Sequence, residues 1–119
     1  MFAITLKTIW VKKNEYFLKA NAGDSRAIAS VRGHPQLLSF DHKPNHFREK
    51  ERILDGGGFV ENNRVNGNLA LSRAFGDFSF KKNVDKGAQD QIVTGKFVLS
   101  FTKYSYFLVE SFLIWWKHT

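Results

Sequence analysis

One aspartate lies where its carboxylate could ligate a metal ion. Asp24 sits in Gly23-Asp24-Ser25, a small-residue bend between two stretches that read as strands. A carboxylate at the end of a strand is a suitable ligand for a hard cation such as Mg²⁺ or Mn²⁺. An aspartate in a turn also accepts hydrogen bonds from nearby backbone N–H groups, and spacing alone favours that simpler role. Asp24 is therefore a candidate metal ligand with a structural alternative.

Histidine and glycine patterns predict no further site. His42 and His46 have the four-residue interval of a helical zinc site, but Pro44 between them prevents that geometry. The chain has no cysteine, which excludes thiolate metal sites, cysteine nucleophiles and disulfides. The glycines at residues 56–58 and the pair at residues 87 and 95 lack the spacing of a phosphate-binding P-loop.

The segment of residues 64–77 is framed by opposite charges. Asn66-Gly67 near its start is typical of a two-residue type I′ turn, in which both residues have positive φ. Four apolar side chains then predict a buried run: Leu69, Leu71, Ala74 and Phe75. Spacing gives Arg64 and Asp77 no chemical role, so both are interpreted as solvent-facing or paired structural charges.

The elements that must position these residues begin with strands. Alternating and β-branched residues predict a hairpin of residues 2–11 and 16–21 around a polar break at residues 12–15. A second pair of strands is predicted at residues 26–31 and 36–40, joined by a Gly-Pro turn. Together they predict an antiparallel β-meander over the first forty residues.

A helix is predicted after Pro44, with Asn45 as its N-cap and the glycines at residues 56–58 as its end. The side chains that share one face of this helix are Phe47, Lys50 and Leu54, with Ile53 beside them. Alternating charges at residues 48–52 are interpreted as a solvated face. A tight turn at residues 61–63, a polar loop at 81–91 and a short strand at 91–94 follow.

Composition limits the possible classes of protein. The chain has 119 residues, enough for one domain, and is 43% apolar and 24% charged, which is typical of a globular protein. Its net charge of +7 comes from scattered lysines and arginines, so nucleic-acid binding is not predicted. The N-terminus lacks the pattern of a signal peptide, and with no cysteine the expected location is cytoplasmic or nuclear.

Three longer stretches, read together, resemble one family. They are ANAGDSRAIAS at residues 20–30, SFDHKPNHFREKERILDGGGFV at residues 39–60 and RVNGNLALSRAFGDFSFK at residues 64–81. In order and spacing they resemble the type 2C metal-dependent serine/threonine protein phosphatases (PPM-type), from about residue 16 to residue 94. The resemblance implies an α+β fold, a β-sandwich flanked by helices, of which this chain holds a part.

The resemblance also implies a chemistry. In that family a cluster of Mg²⁺ or Mn²⁺ ions activates a water that attacks the phosphorus of phosphoserine or phosphothreonine in a protein substrate. Asp24 matches the aspartate of a peripheral metal site, and residues 41–66 match the flap beside the active site. The flap residues that the resemblance places toward the substrate are His42, Lys43, Arg64 and Asn66.

Several family motifs have no counterpart in this sequence. The upstream D-G-H-G-G motif, the N-terminal phosphate-binding arginine, the D-G-x-W-D motif and the later D-N pair are all absent. One peripheral ligand does not hold a two-metal centre, because each cation needs about six oxygen ligands. The sequence therefore predicts a truncated phosphatase domain at residues 1–94, inactive alone.

Residues 95–119 depart from the family pattern and are rich in aromatic and aliphatic side chains. A retained intron, a genuine tail and a membrane segment are the open interpretations, although Lys103 and Glu110 disfavour insertion into a bilayer. Two functional alternatives to the phosphatase fragment remain: a non-catalytic phosphoprotein-binding module and a basic membrane-associated protein.

Overall fold

The computed structural model describes residues 11–13, 16–31, 33–103 and 109–115. Within these ranges the chain is α+β, as predicted. In chain order the elements are β1 (Val11–Lys13), β2 (Tyr16–Asn21), β3 (Arg26–Val31), β4 (His34–Leu37), α1 (Phe47–Asp55), β5 (Val60–Glu61), β6 (Arg64–Val65), a 3₁₀ turn (Phe78–Phe80), β7 (Val98–Lys103) and β8 (Val109–Trp115).

The strands form two three-stranded sheets and one small hairpin. The first sheet has the order β1-β2-β7 and the second β4-β3-β8, and every pairing is antiparallel. The predicted meander is wrong in one respect, since the consecutive strands β2 and β3 lie in different sheets. The bend between them passes through Gly23 with φ of 98°, a left-handed conformation that favours glycine. This bend moves the chain from one sheet to the other.

The strand boundaries also differ from the predicted ones. Lys12 and Lys13, predicted in a polar break, belong to β1 and pair with β2. β4 ends at Leu37 rather than at Phe40, which is exposed. β4 ends there because the Ala27 N–H donates to Ser39 Oγ at 2.8 Å. A continuing strand would have offered this N–H a backbone carbonyl instead. Residues 2–10 of the predicted first strand lie outside the described residues.

The helix α1 turns a different face inward from the one predicted. Its buried residues are Glu49 and Ile53, whereas Phe47 is 75% and Leu54 52% exposed. His46 rather than Asn45 is the N-cap, and it makes no side-chain capping bond. The inward face differs because Glu49 finds cationic partners in the interior, a gain that apolar periodicity alone does not reveal.

A compact apolar cluster lies under the helix. It consists of Ile53, Val65, Leu71, Ala74 and Val93, with Val60, Leu69, Phe80 and Ile92 packed around it. This confirms the predicted burial of Leu71 and Ala74. The helix ends at the predicted glycines, where a Cβ on Gly58 would meet Asn66 Oδ1 and Ile92 Cγ2 at 3.0 Å. A side chain at position 58 would therefore require Asn66 or Ile92 to shift by a few tenths of an ångström.

Two tight turns shape the hairpin that follows the helix. Asn62 and Asn63, with φ of 50° and 58°, join β5 to β6. Asn66 and Gly67, with φ of 49° and 71°, confirm the predicted positive-φ turn, and Val65 then bridges Leu69. The short strand predicted at residues 91–94 is wrong: only Thr94 forms a β-bridge, with Arg73, although both Val93 and Thr94 are buried.

Strands from the apolar C-terminal segment complete both sheets. β7 pairs with β2 along its whole length, from Tyr16 opposite Lys103 to Asn21 opposite Val98. β8 pairs with β3, with an irregularity between Ser30 and Val31. No helix in the described part of the chain is long and apolar enough to cross a membrane.

Truncating the buried helix residue tests this packing. We expect Ile53→Ala to lower the free energy of unfolding by about 2–5 kcal/mol, because it leaves a cavity in the apolar cluster. Leu54→Ala, the neighbouring control on the exposed side, should cost less than about 1 kcal/mol. Urea unfolding followed by circular dichroism measures both values, and a larger cost at Leu54 would contradict the orientation of the helix.

Candidate flap and metal-edge site

A short strap of residues 41–43 is fastened to the bend between β2 and β3. The His42 N–H donates to Gly23 O at 2.9 Å, and the Gly23 N–H donates to His42 Nδ1 at 3.1 Å. On one side of this contact Arg26 donates two hydrogen bonds of 2.8 Å to the carboxylate of Asp41. On the other side the Lys43 ammonium forms an ion pair with Asp24. The bend and the strap thus meet through three adjacent contacts.

The charges of this contact alternate in sign. Asp24 and Asp41 each carry a basic partner from the other segment, so the group of two acids and two bases is neutral. The Asp24 side chain is only 9% exposed and that of Lys43 26%. Hydrogen bonds from Arg26 hold the pKa of Asp41 below its usual value against the opposing effect of burial, and the charge of Lys43 adds to the lowering.

His42 is a buried, neutral residue of the strap. Burial is the main cause that lowers its pKa, the positive charge of Arg73 adds to it, and Glu49 partly offsets it. Nδ1 lies 3.1 Å from both the N and the O of Gly23, so it accepts the N–H in one tautomer and donates to the carbonyl in the other. His42 therefore fixes the strap to the bend, and its role toward a substrate stays a prediction.

Behind the strap lies a buried cluster of charges centred on Glu49. Arg73 contacts both carboxylate oxygens, with Nε 3.1 Å from each, and Arg52 donates to Oε2 at 2.7 Å. Ser72 Oγ donates to the same oxygen at 2.6 Å. Burial alone raises the pKa of Glu49, but these donors outweigh it and lower the pKa to about 2. The carboxylate is therefore ionised in the interior of the protein.

The cluster is joined to the strap through the backbone. The Ser72 N–H donates to His42 O at 3.0 Å, and Arg52 donates to Ser72 O at 2.7 Å. Arg73 also donates to Lys96 O at 3.1 Å. The prediction that residues 48–52 form a solvated face is wrong for Glu49 and Arg52, which point inward. The other three residues of this run are exposed, as predicted. The polar pair Ser72-Arg73 within an apolar run could have indicated a buried charged partner. That partner is Glu49, which lies 23 and 24 residues away in the sequence.

The remaining predicted flap residues make their contacts within the hairpin. Arg64 is exposed and donates one hydrogen bond, to Asn68 O at 2.7 Å. Asn66 accepts the Phe59 N–H at 3.0 Å through Oδ1 and donates its own N–H to Phe59 O at 2.8 Å. The structure thus brings Asp24, His42 and Lys43 together, while Arg64 and Asn66 belong to the hairpin.

The structure corrects the interpretation of Asp77, one of the two charges at the ends of the segment of residues 64–77. It is 8% exposed and left-handed, with φ of 56°, and both of its carboxylate oxygens are buried without a hydrogen-bond partner among the described residues. Its side chain is therefore not solvent-facing, and its negative charge acts on Lys81 without a hydrogen bond. The nearby Lys81 ammonium instead binds Ala74 O and Phe75 O, at 2.7 and 2.9 Å.

A pair of divalent metal ions does not fit the side chains placed here. Asp24 is already bound by Lys43, and among the residues that the structure describes no three His, Asp or Glu side chains converge to hold a metal ion. A hard cation needs several oxygen ligands. The described residues therefore do not assemble a two-metal centre.

A family model described as Protein phosphatase 2C matches residues 5–106. The chain belongs to the protein phosphatase 2C family. It is 56% identical over 90 residues to a probable protein phosphatase 2C of Caenorhabditis elegans, covering 76% of this chain and 25% of that protein. Protein phosphatase 2C homolog 2 of Saccharomyces cerevisiae is 53% identical over 91 residues, covering 76% of this chain and 20% of the yeast protein.

The fold agrees with the family. The crystal structure of a phosphatase from Toxoplasma gondii superposes with a TM-score of 0.70 at 40% identity, covering 84% of this chain and 31% of that chain. This confirms the predicted partial protein phosphatase 2C fold. The chain spans a quarter or less of the length of the two curated relatives. The matched range includes β7, and the domain boundary at residue 94 stays a prediction.

Protein phosphatase 2C enzymes generally depend on Mg²⁺ or Mn²⁺ and act on phosphoserine and phosphothreonine proteins. The strap, residues 41–43, lies against the bend between β2 and β3, where Lys43 pairs with Asp24. The catalytic metal ions require ligands beyond those that this part of the chain brings together.

Neutralising Glu49 tests the buried cluster. We expect Glu49→Gln to destabilise the protein by about 3–5 kcal/mol at pH 7, since it leaves Arg52 and Arg73 without a buried counter-ion. Glu51→Gln, on the exposed side of the same helix, is the control and should change stability by less than about 0.5 kcal/mol. Urea unfolding at pH 7 measures both.

The dependence of stability on acid pH gives an independent test of the Glu49 cluster. The pKa of Glu49 is lowered from 4.5 to about 2, so its contribution is complete above pH 4.5 and is lost as the pH falls toward 2. A shift of this size corresponds to about 3 kcal/mol. Wild type should lose stability more steeply than Glu49→Gln between pH 4.5 and 2, and parallel curves would contradict an ionised, paired carboxylate.

Proposed function

We propose that this chain supplies the substrate flap and one peripheral metal ligand of a protein phosphatase 2C domain acting on phosphoserine and phosphothreonine proteins, and that it does not hydrolyse them alone. The proposal is supported by the hydrogen bonds and the ion pair that join the strap, residues 41–43, to the bend that contains Asp24. It supports the proposal because these contacts join two segments that the family resemblance assigns to the flap and to a metal ligand.

The exposed arginine of the hairpin supports the substrate assignment. Arg64 uses one guanidinium N–H for Asn68 O, which fixes the side chain at the base of the turn. Its other donors have no partner in the part of the chain that the structure describes, and a guanidinium binds phosphate or carboxylate through paired hydrogen bonds. Arg64 would therefore hold a phosphoprotein against the flap, and the short turns on either side of it would keep the hairpin rigid.

Dependence on the rest of a phosphatase domain follows from the side chains present. Asp24 contributes one carboxylate, and hydrolysis through paired metal ions needs several. The segment would therefore act within a complete domain, whose other parts would supply the missing carboxylates.

The decisive experiment is a chimera with the yeast relative. Residues 16–94 of this chain replace the matching segment of Saccharomyces cerevisiae protein phosphatase 2C homolog 2, and hydrolysis of a phosphothreonine peptide is measured with Mn²⁺. We expect the chimera to be active, and Asp24→Ala in it to lower the rate by about ten- to a hundredfold. Asp90→Ala, an exposed aspartate of the same segment, is the control and should have no effect.

The chain alone should show no peptide hydrolysis above the Mn²⁺ blank. Turnover by the chain alone that Asp24→Ala abolishes would overturn the view that it is incomplete. A chimera that melts like the yeast parent in circular dichroism, yet is inactive, would overturn the assignment of a working flap.

A further inference from the structure

The first turn of α1 presents an aromatic side chain to solvent. Phe47 is 75% exposed, although an amphipathic helix normally turns its large apolar residues toward the core. The helix buries Glu49 and Ile53 instead, because the charge cluster around Glu49 fixes its orientation. Phe47 therefore lies on the outer surface of the flap, where a partner can reach it.

The hairpin brings Arg64 to the same end of the helix. The Asn45 N–H donates to Asn63 Oδ1 at 3.1 Å, so the residues just before α1 contact the turn between β5 and β6. Phe47 is two residues from one side of this hydrogen bond, and Arg64 is one residue from the other. Standard backbone dimensions then limit the Cα atoms of Phe47 and Arg64 to at most about 18 Å apart, which an extended peptide spans with about five residues.

The charges at this end of the flap are mainly basic. Three exposed basic side chains lie on or next to the start of the helix: Arg48, Lys50 and Arg64. Two exposed acids lie nearby, Glu51 one turn along the helix from Phe47 and Glu61 opposite Arg64 in the hairpin. A segment that covers Phe47 is therefore favoured when it carries negative charge, because its charge complements the basic side chains around it.

The second exposed apolar residue of α1 lies in different surroundings. Leu54, which is 52% exposed, follows Phe47 two turns later on the same face of the helix. Its neighbour Asp55 is paired with Lys86, so the charge next to Leu54 is balanced. Leu54 is therefore a matched control for Phe47, since it is an exposed apolar side chain of the same helix without the basic surroundings.

We propose that Phe47 is a specificity-determining residue of the flap. It receives an apolar side chain of an acidic phosphoprotein segment whose phosphate group binds Arg64. This inference rests on the proposed substrate role of the flap, and it adds a sequence preference to that role. The preferred substrate has an apolar residue within about five positions of the phosphorylated residue, because that length of extended chain reaches from Arg64 to Phe47.

The preference is tested with the yeast chimera and a set of phosphothreonine peptides. The reference peptide has a background of alanine and glutamate, and in each other peptide one alanine within about five residues of the phosphothreonine is replaced by leucine. We expect the best leucine peptide to have a KM about fivefold lower than the reference, because its leucine leaves water against Phe47. Phe47→Ala should abolish this difference, whereas Leu54→Ala should keep it.

Binding to the full chain alone gives a readout that needs neither metal ions nor turnover. With EDTA present, the fluorescence anisotropy of the labelled leucine peptide should report binding about fivefold tighter than that of the reference peptide. This ratio should fall to about one in Phe47→Ala and persist in Leu54→Ala. Replacing the glutamates of the leucine peptide by lysines should weaken its binding at least about fivefold, because the surface around Phe47 is basic.

A leucine preference that is absent, or that Phe47→Ala leaves unchanged, would overturn the inference. An equal rise in KM for the leucine and reference peptides would also overturn it, since that result indicates a structural role for Phe47. If the chimera hydrolyses the reference peptide, these results leave the proposed function intact. A folded but inactive chimera removes the proposed function, and the anisotropy measurement then decides the inference.

Discussion

The arrangement of the flap depends on one buried, ionised carboxylate. Moving a carboxylate out of water costs several kcal/mol unless hydrogen bonds and opposite charges replace its hydration. Glu49 meets that condition with two arginines and a serine, and its pKa falls although burial opposes the fall. Arg52 and Arg73 also reach backbone carbonyls at Ser72, Gln91 and Lys96. The same charges therefore fix chain segments that have little strand pairing of their own.

The cluster connects α1 to the strap and hence to the site. From Glu49 the contacts run to Ser72, from the Ser72 N–H to His42 O, and from His42 to both backbone groups of Gly23. The helix on one side of the flap and the bend that carries Asp24 thus share one continuous set of hydrogen bonds. These hydrogen bonds hold the strap at a constant position relative to Asp24.

The sequence predicted the turns and the end of the helix, because the residues within each of these features determine its conformation. Asn66-Gly67 specifies its turn because both residues tolerate positive φ, and the glycines at residues 56–58 end the helix. The inward face of α1 was not predictable from its own periodicity. Alternating charge on a helix normally faces water, and Glu49 faces inward only because Ser72 and Arg73 arrive from a distant part of the chain.

The change of sheet between β2 and β3 and the position of Asp24 have a similar explanation. Strand propensity identifies strands but not their partners, and the partners of β2 and β3 come from the segment after the flap. The family resemblance identified Asp24 as a site residue, but its pairing with Lys43 depends on the fold of the strap. In both cases the deciding contact joins segments that are far apart in sequence.

The pairing of β2 with β7 and of β3 with β8 also sets an order for folding during synthesis. Each central strand receives its second neighbour only after the intervening helix, hairpin and loop have been synthesised, with Arg26 opposite Trp115. Such long-range closure is slow compared with the formation of hairpins. Until β7 and β8 have been synthesised, one edge each of β2 and β3 is open to strands of other nascent chains. Slow elongation between β3 and β7 would therefore lower the yield of this protein, and a chaperone that covers strand edges would restore it.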